Sequence, residues 1–218
     1  IPPHNLNEVV DACIHLLDNP DATIRDLMQF IKGPDFPTGG LIYGRDGIVD
    51  AYETGRGRVV MRARAVIEER EGGKGEQIVI TEIPCMVNKA RMIEQIAELV
   101  REKRVTDITA LRDESDRDGI RVVIELKRDA IPQIVLNQLF KHTQMQSTFG
   151  VILLALVNGV PRVLNLKQLI EHFLAHRLEV IVRRSEDDLR QALEREHILE
   201  GLKIAVDHID EIGELSKA

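Results

Sequence analysis

The stretch "TGRGRVVMRARA", from Thr54 to Ala65, has the clearest alternation of charged and apolar residues in the sequence. Successive side chains of an extended strand point to opposite faces. One face would carry Arg56, Arg58, Arg62 and Arg64, and the other would carry Val59, Met61, Ala63 and Ala65. The stretch therefore predicts a β-strand with one cationic face, in a chain whose formal net charge is -7.

Two interpretations of this cationic face stay open. It could be an ordinary exposed sheet face whose arginines pair with acids such as Glu76 or Glu82 on a partner strand. Arginine rather than lysine at all four positions favours phosphate, because the planar guanidinium group binds phosphate oxygens bidentately. No aromatic residue interrupts the stretch, so the pattern fits the backbone of a duplex better than base stacking.

The composition restricts the class of protein. The 218 residues are 44% hydrophobic, which is enough for a core, and the 3% aromatic content without Trp favours a helix-rich protein over an aromatic-lined ligand pocket. Cys13 and Cys85 lie far apart, which gives no support for a disulfide framework and favours a reducing cytoplasm. No signal sequence and no apolar run of about 20 residues is visible. We expect a soluble, cytoplasmic protein without a membrane partner.

Residues 1–34 predict two helices. Asn5 and Glu8 have the spacing of a capping box ahead of an apolar helical repeat, and Thr23 is a candidate cap for a second helix over about 24–31. The following "KGPDFPTGG" combines Gly and Pro as loops do, so a domain boundary is expected near Asp35.

Residues 35–165 predict an α+β domain with a mainly antiparallel sheet and packed helices. The short strand "LIY" and the helix "DGIVDAYET" precede the arginine strand, which forms a hairpin with "IVITEI". Asn88 caps the amphipathic helix "KARMIEQIAELVREKR", and a second hairpin joins "ITAL" to "IRVVIELK". The helix "IPQIVLNQLFKHT" and one apolar strand, "GVILLALV", complete this part.

Residues 166–218 predict helices that lead into a coiled-coil arm. Apolar residues recur there at intervals of four and three, as in a coiled-coil seam: Ile198, Leu202, Ala205, Ile209 and Ile212. Two heptads are marginal in water, so the isolated chain should be mainly monomeric and should be part of something longer.

Other motifs give no candidate catalytic, cofactor or metal residue. "EGGKGE", residues 71–76, lacks the phosphate-loop spacing and predicts a hairpin tip. His172 and His176 have the spacing of a zinc-protease motif, but Phe173 stands where that motif requires Glu. The acidic "RDESDRDG" has the wrong spacing for a calcium loop. Tyr43 and Tyr52 have no evident activating neighbour.

Six segments together carry a family resemblance that runs in order along essentially the whole chain. They resemble the A subunits of bacterial DNA gyrase, which are type IIA topoisomerases, and look more like gyrase than topoisomerase four. The segments are "IPPHNLNEVVDACIHLL", "GPDFPTGG", "TGRGRVVMRARA", "EIPCMVNKARMIEQIAELVREKR", "LRDESDRDGIRVVIELKRDA" and "REHILEGLKIAVDHID".

The resemblance implies an ATP-dependent enzyme that passes one duplex through a double-strand break in another. Residues 1–34 would be the helical tail of a winged-helix domain, residues 35–165 the tower domain, and residues 166–218 the start of the arm. The family's nucleophilic tyrosine lies in an Arg-Tyr-Thr context that this chain lacks, so the chain alone is expected to be inactive. ATP and magnesium would be bound by the partner B subunit in an A2B2 assembly with a second A subunit.

The resemblance also suggests where duplex DNA binds. In the family the tower flanks the bent gate duplex, so the arginine face would hold phosphates. The candidate residues, in decreasing order of support, are Arg56, Arg58, Arg62 and Arg64, then Lys89 and Arg91, then His4 and Asn5. The alternative is a non-enzymatic α+β interaction module whose basic strand binds an acidic protein or nothing.

Overall fold

The computed structural model describes residues 1–70, 72 and 75–209. Residues 1–169 and 170–218 form two units. The first unit contains helices and antiparallel sheets, which confirms the predicted α+β class. The division of the first unit near Asp35 stays a prediction.

Two capped helices open the first unit. Helix α1 spans Leu6–Asp18, and the Asn5 side chain accepts hydrogen bonds from the backbone at its start, as predicted. Helix α2 is shorter than predicted and spans Ile24–Leu27, with Thr23 and Asp26 forming a reciprocal capping box. The start of each helix is fixed by a nearby side chain, which is why the sequence indicates where both helices begin.

The next three elements are strand β1 (Leu41–Ile42), helix α3 (Asp46–Thr54) and strand β2 (Arg56–Arg62). Gly55 ends α3 with φ of 79°, a left-handed conformation that glycine adopts without strain. The chain then folds back so tightly that α3 contacts β2 through backbone atoms. A Cβ on Gly57 would lie 2.2 Å from the Gly47 carbonyl oxygen.

A four-stranded antiparallel sheet follows, in the order β3-β4-β6-β5. Its strands are β3 (Arg64–Glu69), β4 (Glu76–Glu82), β5 (Ile108–Asp113) and β6 (Val122–Leu126). Helix α4 (Lys89–Arg101) connects β4 to β5 and is capped by Asn88, as predicted. The predicted hairpin of "ITAL" with "IRVVIELK" is present. Of the other predicted hairpin, only β3 pairs with β4, and its tip lies largely outside the described residues, at positions 71, 73 and 74.

Strand β6 is buried on both of its faces. All five of its residues are buried, including Val123 and Glu125 on the face opposite the main core. On this face Glu125 is paired with Arg70 and Arg112. The opposite face of the sheet forms the main core with Met92, Ile96 and other apolar residues.

Helix α5 spans Pro132–His142 and is followed by strand β7 (Gln146–Ile152). Strand β7 belongs to a separate three-stranded sheet, whose order is β1-β2-β7. The single predicted strand "GVILLALV" is instead the end of β7 and all of β8 (Leu154–Val157), which pairs with β9 (Val160–Val163). The break falls at buried Leu153, whose backbone N–H donates to the Gly55 carbonyl oxygen at 2.8 Å.

The arginine stretch was expected to be one strand, and this expectation is wrong. Strand β2 pairs with β1 and β7, whereas β3 pairs with β4 in the other sheet. Buried Ala63 lies between the two strands, and its N–H donates to the Met145 carbonyl oxygen at 2.7 Å. The chain therefore changes sheets in the middle of an unbroken alternation.

Helix α6 spans Leu166–Asp207, a single helix of 42 residues where several helices were expected. Most of it belongs to the second unit. Its predicted seam residues Ile198 and Leu202 are exposed, and Ile212 lies outside the described residues.

Candidate nucleic-acid interface

Arg56 and Arg58 lie two residues apart on the exposed face of β2. Within the described residues, no carboxylate oxygen lies within 4.0 Å of either guanidinium group. They border an open hollow of about 500 Å³ formed by α3, β2 and β7. Asp50 and Gly150 also line it. The two arginines are thus free to bind an anion.

Arg62 is held by the protein itself. Its guanidinium carbon lies 3.5 Å from the centre of the Tyr43 ring and 4.7 Å from the centre of the Phe140 ring. Its Nε donates a hydrogen bond of 2.7 Å to Gln146 Oε1. Arg62 is therefore held in place by aromatic rings and Gln146, unlike Arg58, and its contact with DNA stays a prediction.

Arg64 opens β3 and pairs with Glu82, with Nε 3.5 Å from Oε2. The same Glu82 oxygen accepts a hydrogen bond from the Gly40 N–H at 2.6 Å. Of the two acids weighed from the sequence, Glu82 is the partner, and Glu76 faces Glu69 instead. The four-arginine face is thus reduced to one free pair, with Arg62 and Arg64 engaged in the fold.

Lys89 and Arg91 lie in the first turn of α4, as predicted, but their environments differ. Lys89 Nζ lies 2.7 Å from Asp113 Oδ2, and this ammonium holds the pKa of Asp113 at about 2. The Arg91 side chain is exposed and has no ion pair among the described residues. Only Arg91 of this pair has a free charge.

His4 and Asn5 serve the packing of the N-terminal segment. His4 Nε2 lies 2.7 Å from the hydroxyl of fully buried Tyr52, and Nδ1 lies 2.9 Å from the Pro2 carbonyl oxygen. Burial lowers the pKa of His4, so the Tyr52 hydroxyl donates to a neutral imidazole. The Asn5 oxygen caps α1.

Tyr52 has a basic neighbour that no sequence pattern indicated. Its hydroxyl contacts the His4 imidazole, 48 positions away in the chain. The contact does not activate the phenol, because burial raises the pKa of Tyr52 and leaves the side chain no exposed surface. The pair is a structural link between the N-terminal segment and α3.

Two features of the structure were not indicated by any sequence pattern. Gly150 lies in the hollow beside Arg58, and only its position inside a strand could have drawn attention to it. A second open hollow of about 500 Å³ is bordered by Arg25, Lys32 and Arg45, which are distant in sequence. Arg25 pairs with Glu53 at 3.3 Å.

Two kinds of feature are absent from residues 1–70, 72 and 75–209. No group of three or more His, Cys, Asp or Glu side chains there could hold a metal ion. None of the helices in that part of the chain combines the length and apolar character that crossing a membrane requires.

Comparison with known proteins gives the family. The family model for the A subunit of DNA gyrase/topoisomerase IV matches residues 1–218. The chain belongs to this family, which confirms the resemblance seen in the sequence.

Three similar proteins are each named as the A subunit of DNA gyrase. The chain is 59% identical to that of Pseudomonas aeruginosa, over 100% of this chain and 24% of the relative. It is 59% identical to that of Clostridium acetobutylicum over 97% of this chain and 25% of the relative. It is 58% identical to that of Staphylococcus epidermidis over 97% of this chain and 24% of the relative. The chain spans about a quarter of the length of these relatives.

Proposed function

We propose that the chain is part of the DNA breakage-reunion subunit of a type II topoisomerase, an isomerase that acts on duplex DNA. The relatives named as the A subunit of DNA gyrase support this class. Within it, residues 35–165 form a tower that supports the gate duplex. The assembly is completed by a second A subunit together with B subunits, which supply the ATP and magnesium sites in the cytoplasm.

One observation carries the role in DNA binding: Arg56 and Arg58 form a free cationic pair on an exposed strand. The other arginines of the stretch have partners in the fold. The protein therefore positions two guanidinium groups without neutralising them, although its net charge is -7. Such a pair holds a phosphate backbone by position and charge without reading the base sequence.

The test is duplex binding by the full-length protein that contains this chain, measured across a salt series. Each phosphate neutralised contributes about 0.9 to the slope of log affinity against log salt. The double variant Arg56→Ala/Arg58→Ala should flatten that slope by about 0.9 for each phosphate that the pair binds. The loss should be similar for duplexes of unrelated sequence.

Arg117→Ala is the matched control. Arg117 is an exposed arginine in the turn between β5 and β6, and it also lacks an ion pair among the described residues. Its removal changes the net charge as each single replacement on β2 does and should leave the slope nearly unchanged. Equal slopes for the folded double variant and the unmodified protein would show that the pair is only a solvated sheet face.

A further inference from the structure

One glycine of β7, Gly150, lines the hollow beside the free arginine pair. Gly150 lies directly opposite Arg58 in the register of β2 and β7, so both residues face the same side of the sheet. The pairing from Arg56 to Arg62 continues through this position without a bulge. Gly150 is therefore an ordinary strand position without a side chain.

Nothing in the described part of the fold requires a glycine at this position. A Cβ on Gly150 would have no heavy atom within 4 Å, and its φ is not in the left-handed region. Gly57 differs, because its Cβ would lie 2.2 Å from the Gly47 carbonyl oxygen. A glycine inside a strand weakens the strand and often marks a place where a ligand approaches closely.

We propose that Gly150 is a positioning residue that lets one phosphodiester group of the duplex backbone approach the sheet between Arg56 and Arg58. This inference rests on the proposed DNA-binding function and adds the position of a single phosphate to it. A side chain at position 150 would occupy the hollow and hold the phosphate away from both guanidinium groups. Among the described residues, none that lines the hollow is aromatic, so the hollow favours the sugar-phosphate backbone over an unstacked base.

The charges of the hollow fit a single phosphodiester. Asp50 lines the same space as the two arginines, and its carboxylate opposes any anion that enters. Two guanidinium groups and one carboxylate leave a net charge of about +1, which one phosphodiester group neutralises. The single variant Asp50→Asn, which replaces this carboxylate by an amide, should therefore bind the duplex more tightly than the unmodified protein does.

The main variant is Gly150→Val in the full-length protein, assayed against a short linear duplex across a salt series. Valine suits a strand and has free space here, so the melting temperature should not fall. Loss of one phosphate contact should lower affinity about eightfold at ~0.1 M salt and reduce the slope by about 0.9. Gly150→Ala should give a smaller loss.

Two controls isolate the effect of the hollow. Thr148→Val adds no bulk and lies two residues away on the same face of β7, so it should bind like the unmodified protein. Gly150→Val should cause little further loss in an Arg58→Ala background, because the two residues act on the same contact. Full additivity of the two losses would overturn the proposal.

The remaining outcomes separate the two proposals. If Arg56→Ala/Arg58→Ala binds with an unchanged slope, the proposed function fails. If that double variant binds weakly and folded Gly150→Val binds normally, only the role of Gly150 fails. A lowered melting temperature for Gly150→Val would show that packing requires the glycine and would also overturn the role. Displacement of the duplex by polyglutamate at equal charge would assign the hollow to an acidic polypeptide instead.

Discussion

Arg62 illustrates how one residue of a cationic stretch can be held by neighbouring side chains at a half-buried position. The rings of Tyr43 and Phe140 cover its guanidinium group, and Gln146 accepts its Nε hydrogen bond. A cation over an aromatic ring contributes about 0.5 to 2 kcal/mol, and a hydrogen bond to a charged group contributes about 1.5 to 3. Since these terms are not additive, Arg62→Ala should lower the free energy of unfolding by roughly 1 to 3 kcal/mol.

The measurement is urea unfolding of the 218-residue chain followed by tyrosine fluorescence. Tyr43 and Tyr52 are its two tyrosines, and both lie in the first unit, so the signal reports that unit. Arg58→Ala is the control and should change stability by less than about 0.5 kcal/mol. Arg62→Lys keeps the charge but loses the planar group, so it should recover little. Equal stabilities for Arg62→Ala and Arg58→Ala would contradict this role.

The contact between His4 and Tyr52 should make stability depend on pH. Burial lowers the pKa of His4 in the folded state, so the unfolded chain binds a proton more readily. The stabilisation is complete above the unfolded pKa of about 6.5 and is lost as pH falls through that value toward the lower folded pKa. The melting temperature should therefore fall more between pH 7.5 and pH 5.5 for the unmodified chain than for His4→Gln.

Tyr52→Phe separates the hydrogen bond from the titration. It removes the hydroxyl that donates to His4 and leaves the imidazole in place, so stability at pH 7.5 should fall by about 1 kcal/mol. If the unmodified chain and His4→Gln lose the same number of degrees between the two pH values, the imidazole does not control this range.

At the scale of elements, the backbone contact between α3 and β2 fixes where the free arginines lie. A Cβ on Gly57 would lie 2.2 Å from the Gly47 carbonyl oxygen and 2.7 Å from the Ala51 Cβ. Neither a backbone oxygen nor a helical Cβ can move without shifting α3. Gly57→Ala should therefore cost about 3 kcal/mol or more, measured by the same urea unfolding.

Gly150→Ala is the matched control for this contact, since it makes the same chemical change in the same sheet. Its Cβ would enter open space, and an alanine inside a strand is more stable than glycine by roughly 0.5 to 1 kcal/mol. The two variants should thus change stability in opposite directions. A similar loss for both would mean that the α3 contact yields easily.

Elements with local signals were predictable from the sequence. Asn88 ahead of a spaced apolar stripe predicts α4, and Thr23 predicts the start of α2. The strand β9 was missed, although Asn158 and Gly159 form the turn that joins it to β8. An Asn-Gly pair between apolar runs is a strong hairpin signal, so the information was present locally.

The change of sheet at Ala63 was not predictable, for a physical reason. Alternation continues through Ala63, and a period of two is the same whether the chain stays in one sheet or enters another. The partners decide the outcome: Met145 binds the Ala63 N–H, and β3 pairs with β4 while β2 pairs with β7. These contacts join positions far apart in the sequence.

At the scale of the whole molecule, the sequence predicts which arginines are exposed at the candidate site but not how many of them are free of partners. The sequence shows which arginines alternate on a strand, and this singled out Arg56 and Arg58 correctly as exposed residues. It does not show that Tyr43, Phe140 and Glu82 approach the remaining two. Those partners follow from how the two sheets and α5 meet, so the number of free charges is a tertiary property.

The tyrosine environments lead to a prediction for the 218-residue chain taken alone: it should form no covalent adduct with DNA. A phenol attacks phosphorus effectively only when it is accessible and a neighbouring group promotes its ionisation. Tyr52 is fully buried, its hydroxyl is bound to His4, and burial raises its pKa. Tyr43 is exposed, but no metal-binding cluster exists in the described residues. The purified chain should therefore give no detergent-stable complex with plasmid when it is mixed with magnesium and a gyrase B subunit. The full-length protein is the positive control. An adduct that disappears in Tyr43→Phe would show that this exposed tyrosine can act as a nucleophile and would refute the prediction.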